Sequence, residues 1–529
     1  MKKSEKSVGT IFFIMGLIFT ALYLPIMCVV WTYGNKLEYY FAAKEVFAMA
    51  NILIFLLCIP LVVLFYFLSK NLNRRRVSFD KWWAKLILVA ALVLIYWFLY
   101  YVNVYIARCI VFQQGWDVSC VVGAVYRLSD NENLGRDAYF ELYPNNIPIT
   151  YVLYKIYSKV SDSYIYFKEF YWIQIVCGMI SVAGFMLSSL VAKITNKILP
   201  TFVATGIYCV LMAFLPQKIV PYTDMFSLCF PITILCFYAF YVLSKSKYKY
   251  VYLLPIVLFS VLGGLIKTTV FVVFIAIVIT ELVRGIVSAK SRKYDLMALL
   301  ASIILVGVLT VSLNFFFSKS MGFIPDKSQA VSWQHYFYMG MMDETDGAFN
   351  AKSLDIIDEY TDISVSQRHV AEIEAGLDIV KNRSFSENVM HYVKKMVMTF
   401  NDGTFTWFGE GAAHFAEYPS ISGSRFKEFL QNLFWYGGEH YIVFTTVCQY
   451  IWFFILIGLV PFGMQIFSIA KGGTDDKKWI YMSLVMSLVG IFLFIALFEA
   501  RARYLINFIP VFITCSILGF DYIFAKISK

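Results

Sequence analysis

The sequence predicts an all-α polytopic membrane protein with about twelve transmembrane helices. Three observations carry that prediction. First, 60% of the residues are hydrophobic and only 15% are charged, with a mean hydropathy of +0.68, where a soluble domain sits near half apolar and a quarter charged. Second, a spanning helix needs about 20 mostly apolar residues, and twelve runs meet that need. Third, Lys and Arg fall in every second loop between those runs, which is the mark of cytoplasmic loops. The net charge of +10 is therefore a topology signal, and no nucleic-acid partner is expected.

The runs, in order, are 8–31, 46–69, 85–108, 167–193, 199–215, 225–245, 251–266, 267–284, 297–318, 441–469, 479–498 and 505–525. The first follows a short basic start without a small-residue cleavage site, so it reads as a retained helix. The seventh and eighth form one apolar stretch broken only by Lys267. At ~1.5 Å per residue that stretch overruns a ~30 Å hydrocarbon core, and Gly263 and Gly264 mark the expected bend.

Basic residues flank alternate ends. They are Lys2, Lys3 and Lys6; Lys70, Arg74, Arg75, Arg76, Lys81 and Lys85; Lys193 and Lys197; Lys245, Lys247 and Lys249; Arg284, Lys290, Arg292 and Lys293; Lys471, Lys477 and Lys478; and Lys526 and Lys529. Both termini are then expected in the cytoplasm, with residues 109–166, 216–224, the Lys267 bend, 319–440 and 499–504 outside. The division that follows is an N-terminal hairpin (1–84), a core (85–318) whose first external loop is 109–166, an extracytoplasmic cap (319–440) and the C-terminal helices (441–529). The cap begins with the turn at 321–325 and shows helical patterns around 364–382 and 387–400. The amphipathic run 147–160 is expected along the interface rather than across it. The ten cysteines lie mostly in apolar runs, where Cys behaves as a small hydrophobe. Cys109 and Cys120 either meet outside the membrane or stay free thiols.

Charges at the ends of spans are costly and tend to line a cavity or a pathway. Here topology sends them to one side: Asp117 after the third span, Asp224 at the start of the sixth, Lys267 at the outer bend, and Glu499, Arg501 and Arg503 between the last two. Two Arg and one Lys suit a phosphate, and a nearby carboxylate suits a general base acting on a hydroxyl. A lipid-linked phosphate bearing a sugar fits both. Each residue also has a plain structural reading. Asp117 is a loop acid, Asp224 caps the next helix, Lys267 snorkels to the headgroups, and Glu499 pairs with Arg503 four residues on, leaving Arg501 for a ligand. In the cap, His335 and Lys395 are further candidates, with Gln334 and aromatic neighbours equally suiting a structural His335. The sequence contains no paired His or Cys with metal-ligand spacing.

Five stretches, in this order, resemble the GT-C superfamily of bacterial membrane glycosyltransferases, in the branch similar to protein O-mannosyltransferases (glycosyltransferase family 39). They are Trp116-Asp117, Tyr143-Pro144-Asn145-Asn146, Pro221-Tyr222-Thr223-Asp224, Gly264-Leu265-Ile266-Lys267-Thr268 and Glu499-Ala500-Arg501-Ala502-Arg503-Tyr504. The resemblance runs from about residue 85 to the C-terminus. The chain departs from the branch in following Asp117 with Val118 instead of a second acid, which bears on the acceptor. The resemblance implies a GT-C-like fold in a bacterial plasma membrane. It also implies inverting, mannosyltransferase-like transfer of a sugar from a polyprenyl phosphate to an extracytoplasmic glycan, lipid or protein. Asp117 would be the base, and Lys267, Arg501 and Arg503 would bind the donor phosphate. Trp116, Tyr143, Asn145, Asn146, Asp224, Glu499 and, from the cap, His335 would form the sugar or acceptor pocket. No metal or other cofactor is implied beyond the lipid-linked donor. The first two spans exceed the family core and read as an appended hairpin.

A flippase of lipid-linked saccharides, or a polysaccharide polymerase or ligase, is the competing reading. A flippase predicts charges near the bilayer midplane and no large external segment, whereas here the charges sit at one rim.

Overall fold

In hydrocarbon a backbone must satisfy its own N–H and C=O groups, and for a long apolar run the α-helix does so. The computed structural model describes residues 3–31, 36–37, 44–45, 48–74, 79–110, 115–160, 170–287, 293–324, 326, 328–359, 364–407, 423–435, 437–471 and 475–528. Among the described residues, 11 helices are long and apolar enough to cross a membrane. The basic residues Lys2, Arg75, Arg76, Lys290, Arg292 and Lys529, and Pro325 of the expected turn, lie outside the described residues.

The N-terminal hairpin is α1 (Lys3–Val30) and α2 (Asn51–Arg74), joined through a short antiparallel strand pair, Lys36–Leu37 with Lys44–Glu45. Then come α3 (Trp82–Cys109), α4 (Trp116–Ser129), α5 (Ala138–Leu142) and α6 (Ile147–Tyr157). The run α7 (Phe170–Thr195), α8 (Ile198–Phe214), α9 (Thr223–Phe226), α10 (Cys229–Leu243), α11 (Leu253–Ile266), α12 (Phe271–Val287) and α13 (Lys293–Ser320) completes the first part of the bundle. Helical turns at their starts lengthen α10, α11 and α12 into the spans Thr223–Leu243, Lys247–Ile266 and Thr268–Val287, whereas α8, with 17 residues and about 26 Å at 1.5 Å per residue, is among the described residues the expected span that falls short. With 11 residues, α6 is too short to cross. All ten cysteines are free thiols, Cys109 buried and Cys120 exposed, so that pair does not bridge.

Gly263 and Gly264 are not themselves the bend. They lie inside α11, and the chain turns after it, at Lys267, which has extended backbone. A Cβ on Gly264 would sit 2.2 Å from the Phe271 ring, and one on Gly263 would sit 2.7 Å from Phe230. Gly264 lets α12 fold back tightly against α11, and Gly263 lets α11 press closely on α10.

Residues 319–440 supply α14 (Trp333–Met341), α15 (Asp355–Glu359), α16 (Val365–Asn382), α17 (Phe385–Phe400) and α18 (Arg425–Phe434). Ser364 with Gln367 and Ser384 with Glu387 close capping boxes at the starts of α16 and α17, which satisfy N–H groups that a helix start otherwise leaves open. The α14–α16 portion covers one end of the bundle, as a cap would. The next portion differs from the picture of a cap lying on the membrane. Tyr392 of α17 donates to the Leu22 carbonyl of α1 (2.7 Å). Residues 401–407 then pass well inside the bundle as irregular chain, with Phe400 against Trp452 and Phe512. Hydropathy gives no sign of this descent, because side-chain hydrogen bonds rather than apolar length make it possible.

Those bonds close the account of the irregular backbone. Asp402 accepts from the backbone N–H of Thr404 (2.8 Å) and Thr406 (2.6 Å). Gln449 accepts from Gly403 N–H (2.7 Å) and donates to the Asn401 carbonyl (3.3 Å), and Gln217 donates to the Thr404 carbonyl. Asn51, at the start of α2, donates to Val30 O (2.8 Å) and Asn401 Oδ1 (2.5 Å). The N-terminal hairpin is thereby built into the core.

The C-terminal helices are α19 (Tyr441–Ala470), α20 (Lys477–Leu497) and α21 (Ile509–Ile527). At the end of the bundle opposite α14, ion pairs tie the short loops: Lys197–Asp521 (2.7 Å), Lys249–Asp295 (2.6 Å) and Arg284–Asp476 (3.8 Å). In between, α19 and α21 meet backbone to backbone. A Cβ on Gly519 would lie 2.2 Å from the Gly458 carbonyl oxygen. Small residues at a crossing are how membrane helices gain close packing. Gly519→Val is expected to force the pair apart and lower stability by about 1–3 kcal/mol, the usual cost of overpacking, while Gly206→Val, where a Cβ meets open space, leaves it unchanged. Thermal unfolding in detergent micelles checks both.

Candidate functional site

Where α3, α11 and α20 end, the loops between helices close around a cavity of about 490 Å³, within the size range of small-molecule sites. Its first wall is the loop into α4. The chain arrives at Gly115 in an extended conformation, and Trp116 then takes a left-handed φ of +54°. That conformation is a rare outlier for a bulky residue, of the kind found at functional sites. It delivers Asp117 into the first turn of α4, where the helix dipole favours a negative charge. The carboxylate faces the cavity, its side chain 34% exposed.

Tyr143, Pro144, Asn145 and Asn146 form the adjoining edge, where Pro144 opens a 3₁₀ turn. Asn146 is buried and donates to the Tyr139 hydroxyl (2.7 Å). The Tyr222 hydroxyl lies 3.2 Å from both Asp117 Oδ2 and Asn146 Oδ1, with one proton to share between them. Burial, then the charge of Asp117, raises the Tyr222, Tyr139 and Tyr143 phenols, the last to about 12. At neutral pH they stay protonated, and Tyr222 donates toward the Asp117 carboxylate.

The opposite wall is cationic. Lys267 closes α11 and forms an ion pair with Asp224, its Nζ 4.7 Å from the centre of the Tyr504 ring. The backbone at Phe498 and at Arg501 is extended, so residues 499–503 are not one helix face and the expected Glu499–Arg503 pair does not form. Glu499 instead accepts from the Tyr504 hydroxyl and sits 3.4 Å from Arg501 Nε. Arg503 turns the other way. Its Nη2 is 3.8 Å from Asp117 Oδ2, its guanidinium lies over Tyr222, and its backbone N–H donates to Thr406 Oγ1 (3.2 Å). Thr406 itself has a left-handed φ of +66°.

Beneath the turn, Lys395 of α17 is 0% exposed. Its ammonium, drawn down to about 7 by burial, donates to the carbonyls of Gly340 (2.7 Å), Phe498 (2.7 Å) and Ala496 (3.1 Å). It pins α14 to the backbone just before Glu499.

Nine residues singled out from the sequence line this one cavity: Trp116, Asp117, Tyr143, Asn145, Asn146, Lys267, Glu499, Arg501 and Arg503. Asp224 does not reach it. It lines a crevice of about 20 Å³ behind Tyr222 and Arg503, with room for about one water, and acts on the cavity through Lys267. Asp224 is also not the cap of the next helix, since Tyr222 occupies that position. His335 is absent from the lining. It is buried between Ser353 (3.1 Å) and Glu372 (3.4 Å) inside the α14–α16 layer. Ser332, Trp333 and Tyr336 face the cavity from that layer instead, with Tyr222 and Tyr504 from the bundle. The two tyrosines stood inside stretches already quoted. For Trp333 and Tyr336 the only signal was an aromatic-rich run. Among the described residues, no three His, Cys, Asp or Glu side chains cluster closely enough to hold a metal ion.

Asp224 and Lys267 form a nearly buried ion pair, and removing one partner of such a pair leaves an uncompensated charge that costs about 3–5 kcal/mol. Lys267→Met is expected to destabilise the protein by that order. The double variant Lys267→Met/Asp224→Asn should recover most of the loss in thermal unfolding, a coupling that two independent surface charges would not show.

No curated protein matches the chain. Among solved structures it is similar to archaeal oligosaccharyltransferase AglB from Archaeoglobus fulgidus, determined in complex with an inhibitory peptide and a dolichol-phosphate. The identity is 13% and the TM-score 0.41 over 85% of this chain, which spans 51% of that protein, about half its length. A family model described as conserved hypothetical integral membrane protein matches residues 1–523, and the chain belongs to that family.

Proposed function

We propose that the protein is a membrane glycosyltransferase of GT-C type that moves a sugar from a polyprenyl-phosphate donor to a hydroxyl acceptor outside the cytoplasm. The observation that carries this reading is the division of one cavity at the rim of a membrane bundle. A carboxylate, Asp117, stands on one wall, and Arg501, Arg503 and Lys267 stand on the other. Of the basic residues that flank alternate spans, Lys197, Lys249 and Arg284 pair at the far end of the bundle, which supports an external site by the positive-inside rule.

In this mechanism the donor phosphate binds between Arg501 and Arg503, and the lipid chain leaves along the apolar lining of Ile266, Phe494 and Phe498. Asp117 takes the proton of the acceptor hydroxyl as its oxygen attacks the anomeric carbon from the face opposite the phosphate. The carbon–oxygen bond to the phosphate breaks with inversion, and the electron pair moves onto the lipid phosphate. Tyr222 holds the carboxylate in place before the reaction. The two arginines, fixed by Thr406, Glu499 and the aromatic rings of Tyr222 and Tyr504, meet the developing charge without rearranging, which is where most electrostatic catalysis resides. Lys267 contributes through its pair with Asp224.

Membranes supplied with a radiolabelled polyprenyl-phosphate sugar are expected to transfer label to endogenous acceptors. Asp117→Asn should lower the rate by about 10²–10⁴-fold, the usual contribution of general acid–base catalysis. Arg501→Ala should lower it by about 10²–10³-fold, as for loss of a charge-stabilising donor. Asp117→Asn should keep the unfolding temperature of the wild type, and Arg501→Lys, which keeps a charge beside Glu499, separates the loss of the guanidinium from a loss of stability. Full transfer by Asp117→Asn overturns the base, and label that changes leaflet without being transferred overturns the transferase.

A further inference from the structure

The cavity has two chemically unlike sides. The bundle side, from Leu265 to Thr269 and from Phe494 to Tyr504, holds three cations and Glu499 beside apolar side chains. The loop and α14 side is built from residues 116–146 and 331–349, and there Asp117 is the one charged side chain that the described residues give to the lining. The rest is aromatic or neutral and polar, with Trp116, Tyr143, Trp333 and Tyr336 set beside Asn145 and Ser332.

Two of these aromatics are indoles that keep much of their surface open. Trp333, at the first position of α14, is 59% exposed, and Trp116 is 51% exposed. Trp116 also holds a left-handed backbone. Both indoles line the cavity from separate segments of chain. An aromatic face presents a negative quadrupole that attracts the slightly positive axial C–H groups of a pyranose ring, while neighbouring amides and hydroxyls bond the equatorial hydroxyl groups. An anionic polymer would call for cations on this side; the lining offers indole rings and neutral polar side chains, which suit the face and the rim of a sugar ring.

We propose that this side is the acceptor subsite, that the acceptor is a neutral carbohydrate, and that Trp116 and Trp333 bind its sugar rings. The inference rests on the transferase reading, which supplies the donor on the opposite wall.

Direct binding to the full-length protein in lipid nanodiscs tests it without a reaction. The probes are a panel of neutral oligosaccharides, a set of Ser/Thr-rich peptides and glycerol-phosphate oligomers, titrated calorimetrically. At least one neutral oligosaccharide should bind, and neither peptides nor glycerol-phosphate oligomers should. Trp333→Ala and Trp116→Ala should each weaken that binding by about tenfold or more, Trp333→Tyr should restore it to within about threefold, and Trp97→Ala, which removes an exposed indole outside the cavity lining, should bind as the wild type does. Trp333 is exposed at a helix start, so its replacement is expected to leave the unfolding temperature unchanged. Binding of peptides or glycerol phosphates alone, binding of no oligosaccharide, or equal binding by the alanine variants of Trp116 and Trp333 overturns the proposal. The two readings fail separately. Transfer of label to protein with no oligosaccharide binding removes the carbohydrate acceptor and keeps the transferase. Oligosaccharide binding through the two indoles without any transfer keeps the subsite and removes the reaction.

Discussion

Away from water, a polar group left without a partner costs several kcal/mol, and the placement of nearly every functional element here answers to that constraint. The irregular chain at 401–407 can pass inside the bundle only because Asp402, Gln449 and Gln217 take up its backbone groups. Lys395 performs the same service for the carbonyls around α14 and the end of α20. Lys218, also fully buried, does so for the last carbonyls of α8, with Asn103 beside it. Each is a polar side chain held in the interior by the backbone it satisfies, and two connect to the cavity wall, Lys395 through Phe498 and Asp402 through Thr406 to Arg503.

The site inherits its shape from these supports. Arg503 is positioned at one end by Asp117 and at the other by Thr406, so the wall carrying the guanidinium and the descending segment behind it are one unit. Tyr222 and Asn146 set the carboxylate from the opposite side. The hairpin α1–α2, which resembled an addition to a smaller core, meets this same unit through Asn51 and Asn401. Asn51 thereby braces the segment that carries Thr406, the partner of the Arg503 backbone.

Much of this was legible in the sequence because membrane spans and charge bias are strong, local signals. The helices, and the gathering of Asp117, Lys267, Glu499, Arg501 and Arg503 at one end, follow from hydropathy and from counting loops. What stayed hidden depended on backbone conformation or on distant partners. The four-residue spacing of Glu499 and Arg503 suggested a pair, but the chain there is extended and sends the two side chains to different neighbours. His335 looked like a site residue in an aromatic run, and its partner Glu372, 37 positions away in the sequence, is what draws it inward and leaves Trp333 and Tyr336 at the cavity. Asn401–Trp407 carried no apolar signal, so nothing local distinguished it from surface loop.

The charges around the cavity cancel. Asp117, Asp224 and Glu499 stand against Lys267, Arg501 and Arg503, three of each sign, and the six form mutual pairs. From a Debye length away, about 8–10 Å at ordinary salt, such a mouth exerts almost no net field. It has little of the electrostatic steering that speeds the capture of charged ligands from solution. Binding at such a mouth is left to short-range contacts, and on the transferase reading the rate at which it captures an anionic donor should be nearly indifferent to ionic strength.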